Sequence, residues 1–355
     1  MSGLPISIVK SFLIVLVILF SVQTKAVAEN NPPLSKLSSF IKSPQGTFEN
    51  VNAPLLGAKI VTVGIYGINI YNLDLKASTY SMSAYMWLRW KGDFDPIETL
   101  DIINLVKDTK FTKKALMASP KVLSNGEKYQ ILRIDGLFHQ PFDVSNYPLD
   151  KQQLSLYIEN SIDTFDKVFY VPDVVSTSYD KGLDLPGWEN KGLQLQSYLH
   201  DYGTIFGKTG TPAGLKYSGV KFSFNLEREK NFFIWKLLIP LLIILIPCWL
   251  ALFVNPSFIA VRVAMSSTSL LTIVLLERTS VDAILECASL VLMDKIYLLA
   301  IFNVALTLLQ IIIIDRNYDM DSPSNTLKII KIEKISFVVQ ILFFVISLAA
   351  LLMQI

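Results

Sequence analysis

The sequence predicts an extracellular antiparallel β-sandwich followed by a four-helix transmembrane bundle in each subunit, on three observations. Short period-two segments recur between Lys59 and Glu227, separated by Gly, Pro, Asn and Asp clusters and without helical periodicity between them. The composition then changes abruptly after Arg228-Glu229-Lys230, and four long apolar runs follow. The N-terminus carries an export address, which puts the sheet domain outside the cytoplasm.

The address comes first in the chain. Lys10 precedes the apolar stretch Ser11 to Val22, and Ala26-Val27-Ala28 supplies a small-x-small cleavage pattern, so residues 1–28 read as a signal peptide. Residues 29–57, rich in Pro, Ser and Asn, read as a leader with one short helix around Leu34 to Ile41. The sheet domain is expected to fill 29–230. Its strands are expected from Lys59 to Gly67, Thr79 to Trp90, Lys128 to Phe138, Gln153 to Glu159, Lys191 to Leu199 and Tyr217 to Glu227, with a turn at Asn72 to Lys76.

The membrane domain is expected over 231–355, with spans at about 232–254, 258–277, 290–314 and 335–353. Pro240 and Pro247 interrupt the first, and Asn255-Pro256-Ser257 turns the chain back into the second. With the sheet domain outside, the connection between the last two spans is cytoplasmic. It carries Arg316, Lys328, Lys331 and Lys334, in line with the positive-inside rule, although Lys230 and Lys236 lie on the outer side.

Bulk composition narrows the function. The 355 residues are 52% hydrophobic and 17% charged, with mean hydropathy +0.44, too apolar for an ordinary soluble enzyme. A net charge of +2 and the lack of a basic tract give no sign of a nucleic-acid partner. The two cysteines, Cys248 and Cys287, lie in or beside membrane runs, so the exported part has no disulfide and no Cys–His metal spacing occurs. No cofactor is implied, and no nucleophile–base or metal constellation points to an enzyme.

One membrane run differs from the others. Phe258 to Val281 (FIAVRVAMSSTSLLTIVLLERTSV) is long enough to span but carries Ser266, Ser267, Thr268, Ser269 and Thr272 in its middle. Steps of three and four residues align Ala264, Thr268, Leu271, Leu275, Arg278 (or Thr279) and Asp282 on one face. In a ring of identical subunits each position becomes a ring of side chains. Small and hydroxyl residues at one end would keep such a pore wet, and Leu271 and Leu275 would form a hydrophobic gate. The other reading is that the hydroxyls let helices pack closely, which suits Ser266, Ser267 and Ser269.

The stretch Phe138 to Leu154 (FHQPFDVSNYPLDKQQL) resembles the signature loop of pentameric ligand-gated ion channels, the Cys-loop receptor superfamily. Asp143, Tyr147-Pro148-Leu149-Asp150 and Gln152 match its core, while Gln140 and Leu154 stand at the two cysteine positions. The missing disulfide looks like the prokaryotic branch. Trp87-x-x-Trp90-x-x-Asp93, Arg228, Pro240, Leu292-Met293-Asp294 and Arg262 through Thr272 resemble further family landmarks. The loop between the second and third spans departs from the family in lacking prolines.

The resemblance implies a homopentamer in the cell membrane, multi-pass in the bilayer, passing ions when an extracellular small molecule binds. Coupling of sheet domain to pore would fall to Asp74, Lys76, Asp143, Pro148, Asp150, Arg228 and the segment from Asp282 to Ala288, with an Arg228–Asp150 pair at the junction. By position, Trp87, Trp90, Phe165, Tyr170, Tyr198, Tyr202 and Phe206 are ligand-site candidates, and aromatics could hold an amine. His139 and His200 would allow proton sensitivity. Neither family signature of ion selectivity is present at Ala260-Val261, and the acidic Glu277, Asp282 and Glu286 favour cations. The alternatives are an anion-selective or pH-gated channel of the same family, or a membrane-anchored extracellular binding or sensory protein that does not conduct.

Overall fold

A computed structural model of the chain describes residues 47–50, 57–106, 111–207, 215–281, 290–317 and 323–354. The expected signal peptide, the short helix around Leu34 to Ile41, Asp282 and the segment from Asp282 to Ala288 lie outside the described residues.

Alternation in the N-terminal part sends one side chain in two to a common interior. Along β3 (Thr79–Trp90) and β7 (Lys128–His139), Tyr80, Met82, Ala84, Met86, Leu88, Trp90, Leu132, Ile134 and Phe138 face that interior. They meet Leu154, Leu156 and Ile158 of β8 (Lys151–Asn160) and Val220, Phe222, Phe224 and Leu226 of β12 (Lys216–Arg228). Two sheets therefore close on one core. The first runs β1 (Thr47–Asn50), β11 (Trp188–Asp201), β12, β8 and β4 (Leu100–Ile102). The second runs β10 (Ser178–Tyr179), β2 (Lys59–Asp74), β3, β7 and β5 (Thr112–Ala115), with β6 (Lys121–Val122) on β7 and β9 (Val168–Pro172) on β2.

The sandwich expected from the sequence is present, with three refinements. β9 and β10 pair parallel with β2, while the other ladders are antiparallel. The stretch read as leader contains β1, which adds an edge to β11. β2 also runs on to Asp74 through a register shift between Tyr71 and Asp74, so the turn falls after the expected Asn72.

After β12 the chain enters four apolar helical segments, each long enough to cross a bilayer. The first covers Lys230–Phe253. It opens as one α-turn, continues as a π-helix over Phe233–Leu238, and becomes α1 (Ile239–Leu250). The wide turn meets Pro240, whose ring nitrogen has no proton to give to the preceding turn. Asn255 then accepts from the Ser257 amide (3.0 Å) and hydroxyl (2.7 Å), and Pro256 starts the turn into α2 (Ile259–Val281).

The last two helices are α3 (Leu292–Asn317) and α4 (Pro323–Leu352). α4 starts well before the apolar run that marks it in sequence, because Ile329 and Glu333 both turn inward and give the polar stretch a buried face. Polar contacts tie the bundle together. The Trp249 indole donates to Asn303 Oδ1 (2.7 Å), Asn303 donates to the Gln340 carbonyl (3.2 Å), and the Thr307 hydroxyl meets Gln340 Oε1 (2.7 Å). A sheet-rich N-terminal domain and four apolar helices fit a multi-pass membrane protein with its N-terminal domain outside the cell.

Candidate pore helix, junction and ligand cluster

α2 has two faces that differ in what they touch. Arg262, Ser266, Ser269 and Ile273 are buried against the other helices of the chain. Ala264, Thr268, Leu271, Leu275 and Arg278 are exposed on the other side, with Leu271 62% and Leu275 58% accessible. The described members of the stripe read from the sequence thus share one uncovered face of the protomer. Thr268 and Thr272 stay helical, the Thr272 hydroxyl donating to the Thr268 carbonyl at 2.8 Å. Glu277 is half-buried.

Arg262 turns away from that face. Its Nε donates to the Ala251 carbonyl (3.0 Å), and its Nη2 pairs with Glu333 of α4. The base of α2 is thereby tied both to the end of the first span and to the last helix. The charge of Arg262 is spent inside the bundle rather than on the uncovered stripe.

The junction between sheet domain and helices is built around Arg228, the last residue of β12. Its backbone amide donates to the Asp150 carbonyl (3.1 Å), and its Nε and Nη2 donate to Asp150 Oδ1 (2.7 Å) and Oδ2 (3.3 Å). Gln152 Nε2 reaches Asp150 Oδ2 (2.7 Å) and the Asp143 carbonyl (2.7 Å). Asp150 is only 1% exposed, so these donors replace its water. The guanidinium lies between the rings of Trp188 (4.1 Å) and Tyr147 (4.8 Å).

The loop before β8 rests on the helices. Val144 and Tyr147 are buried in the same apolar cluster as Phe233, Met293 and Tyr297, with Phe142 and Leu149 beside them. The backbone amides of Leu292 and Met293 donate to the carbonyls of Ser145 (2.9 Å) and Tyr147 (3.2 Å). Asp294 Oδ2 accepts from the Val291 amide (3.0 Å), reaching back over the start of α3 as a capping carboxylate. Pro148 is buried, whereas Asp143 is exposed and holds the Ser145 amide at 3.0 Å. In the turn after β2, Asp74 and Lys76 are exposed, and Asp74 accepts from the Ala77 amide (2.9 Å). The residue of that turn packed into the membrane cluster is Leu75, which sequence reasoning passed over.

The seven aromatic candidates do not gather in one place. Trp90 and Tyr170 are core residues, their polar tips donating to the carbonyls of Phe94 (2.7 Å) and Pro96 (3.4 Å). Trp87 lies on β3 with its indole donating to Asp173 Oδ2 (3.0 Å), which Arg89 also reaches (3.0 Å). Only a glycine fits under its ring, and Gly64 of β2 provides one. Burial alone would raise the Asp173 carboxyl, but the Trp87 and Ser176 hydrogen bonds and the Arg89 charge outweigh it and hold the group below its usual range. Phe165 is half-buried, its amide donating to the Lys216 carbonyl (3.1 Å).

The remaining three meet at the loop end of the β11–β12 hairpin, where Asp201 faces Lys216. Tyr202 stacks against His200 (3.8 Å) and edges onto Phe206 (5.1 Å) and Tyr217 (5.6 Å), and Phe206 is 55% exposed. Beneath them sits Glu159 of β8, which sequence reasoning missed. It accepts from the hydroxyls of Tyr202 (2.8 Å) and Tyr198 (3.5 Å) and contacts His200 Nδ1 at 3.0 Å. Burial raises the Glu159 carboxyl above its usual range, more than its hydrogen bonds to His200, Tyr202 and Tyr198 lower it. Burial and the Glu159 charge likewise push the Tyr198 and Tyr202 hydroxyls up. His139 lies elsewhere, at the exposed end of β7.

No family model matches the chain. Among curated proteins it is similar to a proton-gated ion channel of Gloeobacter violaceus (strain ATCC 29082 / PCC 7421), 25% identical over 212 residues. That match covers 54% of this chain and 55% of the relative, so the chain spans about half the length of the curated relative.

Proposed function

We propose that this chain, whose sequence similarity to an ion channel and whose sheet-plus-four-helix architecture fit the Cys-loop receptor superfamily, is one subunit of a pentameric ligand-gated ion channel. The observation that carries the reading is the two-faced α2. A membrane helix that packs Ile273 inward and leaves Ala264, Thr268, Leu271 and Leu275 uncovered has a face reserved for something other than its own bundle. In a closed ring that face lines the axis. Thr268 and Ala264 keep the inner half wet, Leu271 and Leu275 expel water when the rings narrow, and Arg278 and Asp282 border the outer mouth. The permeant ions are read as cations from the acidic Glu277, Asp282 and Glu286 towards the outer mouth, Arg262 being paired with Glu333 away from the uncovered stripe.

Opening is a population shift driven by a ligand that prefers the open state. Its site is the hairpin end where Tyr198, Tyr202 and Phe206 stand over Glu159, an arrangement of aromatic faces and a carboxylate suited to an amine. Trp87, Trp90, Phe165 and Tyr170 belong to the wider set of candidates. The strain passes down β12 to Arg228 and across Asp150, Asp143 and Pro148 to the head of α3, with Asp74 at the neighbouring turn. A second reading, protons as the agonist, is supported by the buried Glu159–His200 pair and by the similarity to a proton-gated ion channel.

The test is voltage-clamp recording of the full chain expressed in oocytes, screened against amines and against external pH. The expected result is a current that one of these elicits and that reverses with the cation gradient. Pentamers that reach the surface and never conduct would leave the non-conducting receptor as the better account.

A further inference from the structure

From Ile259 to Leu276, α2 carries a single charged residue, Arg262. It lies on the side turned away from Leu271 and Leu275 and is 1% exposed. A guanidinium keeps its charge in a protein interior, so the helix that presents the uncovered stripe has a permanent cation behind it. An α-helix with its side chains is about 10–12 Å across, which puts that cation roughly one helix width from the uncovered surface.

Dry protein transmits the field of a charge that water and salt would screen. Asp315, Arg316, Lys328, Lys331 and Lys334, at the same end of the bundle, are all exposed, so solvent screens them. Arg262 has no such screen and is met inside the bundle instead. Its Nη2 pairs with Glu333, which is 2% exposed, and its Nε donates to the Ala251 carbonyl (3.0 Å) at the C-terminal end of α1. Helix carbonyls at that end carry partial negative charge. Glu333 is the one acid paired with Arg262 among the described residues. Together the two make a compact dipole, whose field dies away faster than that of either charge alone.

Resting on the reading of α2 as the pore helix, we propose that Glu333 sets which ions the channel passes. By cancelling Arg262 it removes a ring of positive charge from the inner half of the pore and so admits cations. Without that carboxylate each subunit places one uncompensated cation behind Ala264 and Thr268, and the summed potential repels cations and draws in anions. Glu333 meets no permeant ion; it is a positioning residue that acts through Arg262.

The test is the ratio of sodium to chloride permeability of the full chain in oocytes, read from reversal potentials as external NaCl is diluted. The channel is opened by external acid or by propylamine. Glu333→Gln keeps the shape and an acceptor for Arg262 but removes the charge, and is expected to lower the ratio about tenfold. Glu333→Asp should hold the ratio, and neutralising both partners in R262Q/E333Q should restore it. A merely structural clasp would change surface expression in these variants and leave the ratio where it was. An unchanged ratio in Glu333→Gln overturns the proposal, as does a double variant no closer to wild type than the single one. If Glu333→Gln does not reach the surface, Arg262→Gln decides through the unitary sodium conductance. Leaving the carboxylate uncompensated should raise that conductance about twofold, and an unchanged or lower value overturns the proposal. A wild type that passes no current under either condition overturns the reading of α2 as the pore helix as well, which keeps the two failures apart.

Discussion

Arg228 and Asp150 are joined three times over: amide to carbonyl, and guanidinium to both carboxylate oxygens, with Asp150 sealed from water and Arg228 stacked between Trp188 and Tyr147. Such a pair contributes little when whole compared with an apolar substitute, but breaking one side leaves a buried charge.

Arg228→Ala is therefore expected to destabilise the folded chain by about 3 kcal/mol, by leaving the Asp150 carboxylate with only the Gln152 donor. Arg228→Lys keeps a charge but not the planar fork, and should recover less than half. Thermal unfolding of the purified protein in detergent reads both, and equal melting temperatures for Ala and wild type would refute the expectation.

The two faces of α2 should answer mutation differently. Leu271→Ser changes an uncovered residue and is expected to raise the resting leak without lowering the melting temperature, because it wets the proposed gate. Ile273→Ala changes a fully buried one and should destabilise by about 2–4 kcal/mol with no rise in leak. Paired current and melting measurements separate the two, and a leak that follows Ile273 instead would point the pore elsewhere.

The raised Glu159 carboxyl makes a signed prediction about pH. The folded state holds its proton more tightly than the unfolded chain, so this contribution to stability is full below the ordinary carboxylate range and is lost as pH rises through the raised value. Glu159→Gln removes this titration, so the melting temperature of the wild type relative to the variant should rise towards acid pH and fall as pH rises through the raised value. A constant difference from pH 4 to pH 8 would contradict the assignment.

Leu75 offers a test of coupling without charge. Truncation to Ala removes the apolar contact of the β2–β3 turn with the membrane cluster, at about 1–2 kcal/mol. Agonist concentration–response curves should shift to higher concentration while ligand affinity measured on the detergent-extracted protein stays unchanged.

What could be read from the sequence follows the range of the interaction concerned. Strands with strict alternation, such as Thr79 to Trp90, and four apolar runs declare themselves locally, and so does the period that gathers Thr268, Leu271 and Leu275. β9 and β10 are too short to show a period, and their parallel pairing with β2 depends on partners more than a hundred residues away. Glu159 sits on the outward face of β8, where a charged residue is ordinary; only the long-range arrival of Tyr198, His200 and Tyr202 buries it. Residue type also cannot separate a core aromatic from one beside a cleft, which is why Trp90 and Tyr170 stand among the ligand candidates while lying inside the sandwich. Arg262 matched a family pattern, but its partner Glu333 comes from a helix 71 residues on.

The head of α3 takes its first hydrogen-bond acceptors from the sheet domain. A helix begins with amides that have no partner inside it. Here Ser145 and Tyr147, on the loop ahead of β8, supply carbonyls to Leu292 and Met293. The border between the two domains is thus a shared secondary structure rather than a seam between finished parts. A membrane half expressed alone would begin its third helix with bare donors at the edge of the bilayer, and a sheet half expressed alone would end with bare acceptors. Grafting either half onto another scaffold would have to carry that loop with it.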